Sequence, residues 1–236
     1  MLGSSKGHLA YRQPAGRVNR GFALAARALV VLLAVAVTIP WSSARAATTI
    51  VAFGDSLTAG YGLADSALFF PARLEGALRA VGVDVRLVNA GVSGDTSSGG
   101  LSRLDWSLVE TTDLVILELG ANDALRGIAP AVTEANLDKM LAALAAKGIP
   151  VLLAGMLAPP NLGPEYGQAF NALYTRLAAK YAVPLYPFFL DGVAAQNALL
   201  QNDGMHPNAR GVNVIVERIV PYVLWALKAG PKPPGA

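Results

Sequence analysis

Short apolar runs alternate with helix-patterned stretches along residues 48–227, and this alternation limits the possible folds more than any other feature. Thr48 to Phe53 reads as a strand ending at Gly54, Val85 to Asn89 as a second, Asp113 to Leu119 as a third, Pro150 to Met156 as a fourth and Val183 to Tyr186 as a short fifth. Between them, helical patterns run from Ala67 to Ala80, Leu101 to Glu110 and Tyr166 to Tyr181. Another helix is predicted with Thr133 as its N-cap, carrying Leu137, Met140, Leu141 and Leu144 at helical spacing until Gly148. A last helix is predicted from Asn208 to Leu227, broken or kinked at Pro221. Strands alternating with helices of this length imply a parallel sheet covered on both faces, and near-continuous apolar strands agree with that. No internal repeat or linker divides the run, so one three-layer α/β/α domain over 47–228 is expected.

The residues before it have another character. Positions 1–46 hold Lys6, Arg12, Arg17, Arg20, Arg27 and Arg45 and no acidic residue, with an apolar run of 12 residues from Ala28 to Ile39 that Pro40 ends. A basic start, a short apolar centre and the small-residue exit at Ala44-Arg45-Ala46 describe a cleavable secretory signal, with cleavage expected after Ala46 and a periplasmic or secreted product. A membrane-spanning helix needs about 20 apolar residues, which this run lacks. The leader also explains the chain's basic charge. The whole sequence has 19 Lys+Arg against 16 Asp+Glu, and removing the six cations of the leader leaves 13 against 16, about −3. No positive cluster survives to support nucleic-acid binding. The last residues, 229–236, rich in proline and glycine, are expected to be disordered.

Ligands of open α/β sheets bind at the carboxyl ends of the strands. Strand one delivers Gly54-Asp55-Ser56-Leu57, strand two Asn89-Ala90-Gly91-Val92-Ser93-Gly94-Asp95, and strand three Gly120-Ala121-Asn122-Asp123. Asp203-Gly204-Met205-His206-Pro207 precedes the last helix. With the leader removed, His206 is the one histidine of the domain, and there is no cysteine, so a histidine base has a single candidate and thiolate chemistry has none. Asp203, three residues earlier, can receive the imidazole Nδ1–H and leave Nε2 free to take a proton. A serine hydroxyl is inert without such a base, which makes Ser56 on the first strand-to-helix turn its natural partner. The Ser56 and Gly94 N–H groups with the Asn122 amide could receive an oxyanion. Asp55 and Asp123 are candidates for ordering these groups through local hydrogen bonds. The Gly-x-Ser-x-Gly elbow of α/β-hydrolases is missing. Gly60-Tyr61-Gly62-Leu63-Ala64-Asp65 approaches a dinucleotide fingerprint but places Asp65 where the third glycine belongs. One histidine and no cysteine make a catalytic zinc site implausible, and no metal or other cofactor is expected.

The four clusters resemble the blocks of the GDSL, or SGNH, hydrolase superfamily, and within it the secreted acyl-CoA thioesterase, lysophospholipase and arylesterase branch of bacteria. The shared stretches are Phe53 to Tyr61, Asn89 to Ser97, Glu118 to Gly127 and Asp203 to Asn208, in the family's order and spacing. The resemblance implies a flavodoxin-like sheet of five parallel strands and a shallow site. It implies Ser56 as nucleophile, Gly94 and Asn122 as oxyanion donors, and His206 held by Asp203. Its substrates would be short- to medium-chain acyl or aryl esters, acyl thioesters and lysophospholipids. One departure is Ala121, where a second glycine is expected before Asn122. Tyr61, Leu63, Leu125, Ile128, Pro159, Pro160, Leu162 and Tyr166 lie in loops expected to flank the Ser56 end of the sheet, an apolar rim suited to an acyl chain or aryl group. Three other readings are carried: a carbohydrate O-acetyl esterase, a non-catalytic lipid-binding carrier that would need the rim but not Ser56, Asp203 and His206 together, and a membrane-tethered hydrolase whose N-terminal segment is retained rather than cleaved. The partner expected is a small ester or thioester, with no nucleic acid and no membrane span after leader removal.

Overall fold

A computed structural model describes residues 1–3, 47–228, 230 and 232–233. Apart from Met1–Gly3, the leader read over 1–46 lies outside the described residues, as do 229, 231 and 234–236 of the tail. The chain divides into two units, Met1–Ala46 and Ala47–Ala236. Every strand and helix among the described residues belongs to the second.

Five strands, β1 (Thr48–Gly54), β2 (Val85–Gly91), β3 (Leu114–Glu118), β4 (Val151–Ala154) and β5 (Leu185–Tyr186), form one sheet in the order β2-β1-β3-β4-β5. Every adjacent pair is parallel; Ala52, for example, is opposite Asn89 on one side and Ile116 on the other. This is the flavodoxin-like order, with its switch point between β1 and β3, the two central strands that start on opposite crossovers. The strands β1, β3 and β4 are buried almost throughout, as their apolar runs require. β2 is an edge strand and exposes Arg86 and Asn89.

Among the described residues seven α-helices flank the strands: α1 (Ser56–Ala59), α2 (Phe70–Ala80), α3 (Ser97–Ser107), α4 (Ala121–Leu125), α5 (Pro130–Ala146), α6 (Pro164–Tyr181) and α7 (Ala209–Ala226). α2 packs on α7 against one face of the sheet, while α3 packs on α5, and α5 on α6, against the other. Leu74, Leu78, Ile215 and Ile219 line the first layer of the core and Leu104, Leu137, Met140, Leu144, Phe170 and Leu173 the second, all essentially without solvent contact.

Three local expectations change. Thr133 does not cap α5, which already begins at Pro130 with Ala129 at the N-cap, because proline is preorganised for the first helical turn; the Thr133 hydroxyl instead donates to Asp123 Oδ1 at 3.1 Å. The helix after β2 starts at Ser97, four residues before the first leucine of its apolar pattern, because Thr96 caps it by accepting from the Gly99 N–H. α7 continues through Pro221, which lies on the exposed side of the helix together with Glu217, whose carbonyl loses its i+4 donor there. Among the described residues no helix is long and apolar enough to cross a membrane.

Candidate active site

At the end of β1 the chain must turn sharply into α1, and the sequence supplies a cap for that turn. The Asp55 carboxylate accepts from the Leu57 N–H at 3.0 Å, so the next residue, Ser56, opens the helix at the carboxyl edge of the sheet. Gly54 is required immediately before it: a Cβ there would collide with Thr58 Oγ1 and with both the side chain and the carbonyl of Glu118. From the opposite end of the chain, the loop entering α7 brings His206 back to the same place. His206 Nε2 lies 2.9 Å from Ser56 Oγ, and His206 Nδ1 lies 2.7 Å from Asp203 Oδ2.

The protonation states follow from the surroundings. Asp203 accepts at Oδ1 from the His206 N–H at 3.0 Å and the Met205 N–H at 2.9 Å, and these two backbone bonds, helped by the imidazole, hold its carboxyl down at about 2. An ionised Asp203 can only accept, which puts a ring proton on Nδ1 and makes Nε2 the nitrogen that can accept from the Ser56 hydroxyl.

From the sequence, three donor groups are expected to serve Ser56, and of these Asn122 lines the same cleft as the serine. Neither the Ser56 nor the Gly94 N–H has a hydrogen-bond partner among the described residues. Gly94 has φ +84°, the left-handed region, and its carbonyl is turned away to accept from Arg126 Nη2 at 2.8 Å. The third donor, the Asn122 side-chain amide, stands on the first turn of α4 and gives one of its hydrogens to Asp55 Oδ2 at 3.1 Å. Asp55 thus serves the helix cap with one oxygen and orients Asn122 with the other. Its burial raises the carboxyl to about 6, against the lowering effect of those two hydrogen bonds. Asp123 is fully buried and fastens α4 to α3: it accepts from the Ser97 N–H at 2.7 Å, from the Ser97 hydroxyl and from Thr133. At the Ala121 departure, the neighbouring position whose geometry requires glycine is Gly120. Its φ is +122°, and a Cβ there would meet the Tyr174 hydroxyl, which donates to the Leu119 carbonyl at 2.9 Å.

The serine opens onto a cleft of about 570 Å³ lined by Leu125, Met156, Leu157, Pro159, Pro160 and Phe188 among others. Of the rim residues expected from sequence, Leu125, Pro159 and Pro160 line this cleft. Tyr61 stands on the other side of the histidine, its ring centroid 4.6 Å from that of His206, beside a separate polar hollow formed with Gln201 and Asn208. Leu63, Ile128, Leu162 and Tyr166 do not reach the cleft. Leu63, Leu162 and Tyr166 pack onto the hydrophobic core, and the Ile128 carbonyl accepts from the Tyr166 hydroxyl at 2.7 Å, so apolar loop residues here close the loops rather than the ligand space.

Sequence reasoning passed over Glu118. It is the last residue of β3, entirely buried, and its Oε2 accepts from Thr58 Oγ1 at 2.8 Å and from the Asp55 N–H at 3.3 Å. Burial, then the neighbouring Asp55, drives its carboxyl well above the usual range, and its second oxygen has no partner among the described residues. The signal was a lone acidic residue closing an otherwise apolar strand. Among the described residues no group of three or more His, Asp or Glu side chains could hold a metal ion.

A hydroxyl within hydrogen-bond reach of an imidazole and a carboxylate fixing that imidazole constitute the core equipment of nucleophilic acyl transfer, set at the switch point of a doubly wound sheet. The family model described as GDSL-like lipase/acylhydrolase matches residues 52–214. "Esterase TesA" of Pseudomonas aeruginosa is 44% identical over 177 residues, 75% of this chain and 88% of that protein. The "Thioesterase 1/protease 1/lysophospholipase L1" of Escherichia coli is 42% identical over 166 residues, 70% of this chain and 78% of that protein. The crystal structure of AlinE4, described as an SGNH-hydrolase family esterase, superposes with a TM-score of 0.65 at 48% identity, covering 77% of this chain and 97% of that one. The chain belongs to the GDSL-like lipase/acylhydrolase family.

Proposed function

We propose that the protein is a serine esterase and thioesterase working through an acyl-enzyme on Ser56. The observation that carries this reading is the chain of contacts from Ser56 Oγ to His206 Nε2 at 2.9 Å and from His206 Nδ1 to Asp203 at 2.7 Å. Ser56 attacks the carbonyl carbon while His206 Nε2 takes the hydroxyl proton, and the Asp203 carboxylate stabilises the imidazolium that forms. The tetrahedral oxyanion is received by the Ser56 and Gly94 N–H groups and by the Asn122 amide hydrogen that Asp55 does not use. His206 then protonates the leaving alcohol or thiol. Water, deprotonated by the same imidazole, cleaves the acyl-enzyme and regenerates Ser56.

The apolar cleft supports acyl or aryl groups, with short- to medium-chain esters, acyl thioesters and lysophospholipids as the substrate classes. That lining argues against a carbohydrate O-acetyl esterase, since a sugar needs several polar partners. The complete Ser-His-Asp arrangement argues against a carrier, which has no use for it. The basic and apolar residues 1–46 support export, with cleavage after Ala46.

The test is hydrolysis of p-nitrophenyl esters of increasing chain length and of acyl-CoA thioesters by the 47–236 protein and its Ser56→Ala variant, together with labelling by a fluorophosphonate. Turnover in the parent, and loss of both turnover and labelling in the variant, is expected. A Ser56→Ala protein as active as its parent overturns the reading.

A further inference from the structure

Arg103 lies in the second turn of α3, with its side chain only 18% exposed, and makes no contact with Ser56, Asp203 or His206. Its guanidinium nevertheless reaches the ends of the two strands from which the Ser56 and Gly94 loops spring. Nη2 donates to the Gly54 carbonyl at 2.9 Å, two residues before Ser56. Nη1 donates to the Ala90 carbonyl of β2 at 2.8 Å and to Ser107 Oγ at 3.1 Å. Nε donates to Asp95 Oδ2 at 2.5 Å, next to Gly94, and the guanidinium carbon lies 4.1 Å from the centre of the Phe53 ring. The Gly54 carbonyl also accepts from the Val92 N–H at 3.0 Å, so the end of β1 and the Gly94 loop already meet at one oxygen, which Arg103 holds as well.

The same helix is fastened to the third donor. Its first residue, Ser97, is bound through backbone and side chain to Asp123, which follows Asn122. α3 therefore touches the supports of all three groups that face the oxyanion. Gly94 needs such support: its backbone is in the left-handed region, and the contact from Arg126 to its carbonyl comes from an exposed side chain.

Resting on the reading of Ser56 as nucleophile and Gly94 as oxyanion donor, we infer that Arg103 is a positioning residue of the acyl-transfer step. It clamps the ends of β1 and β2 to Asp95 and so fixes the distance between the attacking hydroxyl and the Gly94 N–H. Lysine cannot replace it, because a single ammonium cannot span four acceptors in the plane of the fork. The oxyanion exists only in the transition state and the tetrahedral intermediate, so loosening its receptor lowers kcat and leaves KM nearly unchanged.

The experiment compares the parent with Arg103→Lys, Asp95→Ala and Ser56→Ala on one p-nitrophenyl ester. It is run well below each variant's melting temperature, with inhibition by a trifluoromethyl ketone whose adduct on a serine carries an oxyanion. Removing one oxyanion donor outright typically costs a hundredfold or more, so displacing one should cost roughly 10- to 100-fold in kcat for Arg103→Lys, and about fivefold for Asp95→Ala, with KM within about twofold. The ketone should bind more weakly by the same factor as kcat falls. A folded Arg103→Lys protein with kcat within about twofold of the parent, or one whose loss lies in KM with ketone affinity unchanged, overturns the inference. If Arg103→Lys does not fold, Asp95→Ala decides by the same criteria. An active Ser56→Ala variant overturns the underlying reading instead, whatever Arg103 does.

Discussion

The Asn122 amide donates to Asp55 Oδ2 at 3.1 Å, and that one bond joins the turn after β3 to the turn after β1 beneath the serine. Asp55 is buried without solvent contact and is held at about 6 from an ordinary value of 3.8. Between those two values the folded protein binds more protons than the unfolded chain, so stability falls as pH rises through this window and the deficit is complete above about pH 6. The stability of Asp55→Asn relative to the parent should therefore improve by as much as about 3 kcal/mol between about pH 4 and about pH 8. The Asn side chain keeps an oxygen for the Leu57 N–H but turns an NH2 donor, not an acceptor, toward the Asn122 amide, and kcat should fall on the order of tenfold or more. Melting temperatures across roughly pH 4 to 8, paired with ester hydrolysis at the upper end, check both parts. A variant that gains nothing at the alkaline end over the acidic end contradicts the account.

Asp203 differs because its work divides between two oxygens. Oδ1 ties the turn through the Met205 and His206 N–H groups, and Oδ2 fixes the imidazole. Asp203→Asn keeps an acceptor for the turn but presents a neutral amide to the ring. It should fold normally while losing roughly 10²- to 10⁴-fold in kcat, since the imidazole is no longer held in the useful tautomer or stabilised when charged. Asp203→Ala should lose activity and also lower the melting temperature, because two backbone donors are left open. Equal melting temperatures for the two variants would show that Oδ1 contributes nothing to the turn.

Much of this was legible in the sequence because the strands carry their own signal. β1, β3 and β4 are buried on both faces, so their residues are largely apolar, and the polar residues that follow β1 and β3 mark the ends of those two. The carboxyl-edge loops can therefore be lined up from the residues alone, and Ser56, Asp203 and His206 are found in contact. Arg103 and Glu118 were not legible as supports, because a lone charge in a helix or strand shows its purpose only through its partners, here as many as 63 residues away. The apolar rim was legible only in part. Leu63, Leu162 and Tyr166 have the same chemistry as Leu125 and Pro160, and only packing decides which of them face the core.

Close approach of backbones sets the glycine requirements, and two positions make opposite predictions. A Cβ at Gly91, the last residue of β2, would run into the backbone of Thr58 and Ala59 in α1. Gly91→Ala should destabilise by about 2 kcal/mol or more and lower activity, since α1 carries Ser56 and cannot yield without moving it. Gly76 lies within α2, with no atom near the place a Cβ would occupy. Gly76→Ala should stabilise by roughly 0.5–1 kcal/mol with kcat unchanged. Denaturant midpoints of the two variants measure both signs.

The cleft wall offers the last prediction. Leu157 is 44% exposed, lines the space beside Ser56 and follows β4 on the loop that also carries Pro159 and Pro160. An acyl chain long enough to reach it would bury part of its surface, and an acetyl group would not. Losing part of a leucine's transfer free energy, about 1 kcal/mol, should raise KM for medium-chain esters roughly fivefold in Leu157→Ser while acetate hydrolysis stays within about twofold. Tyr166 lies off the cleft and bonds the Ile128 carbonyl. Tyr166→Phe should then leave the chain-length profile intact and cost about 1 kcal/mol of stability. A chain-length series of p-nitrophenyl esters separates the two variants. If Tyr166→Phe shifted the profile and Leu157→Ser did not, the acyl chain would have to run along the α4–α6 side of the site rather than against the β4 loop.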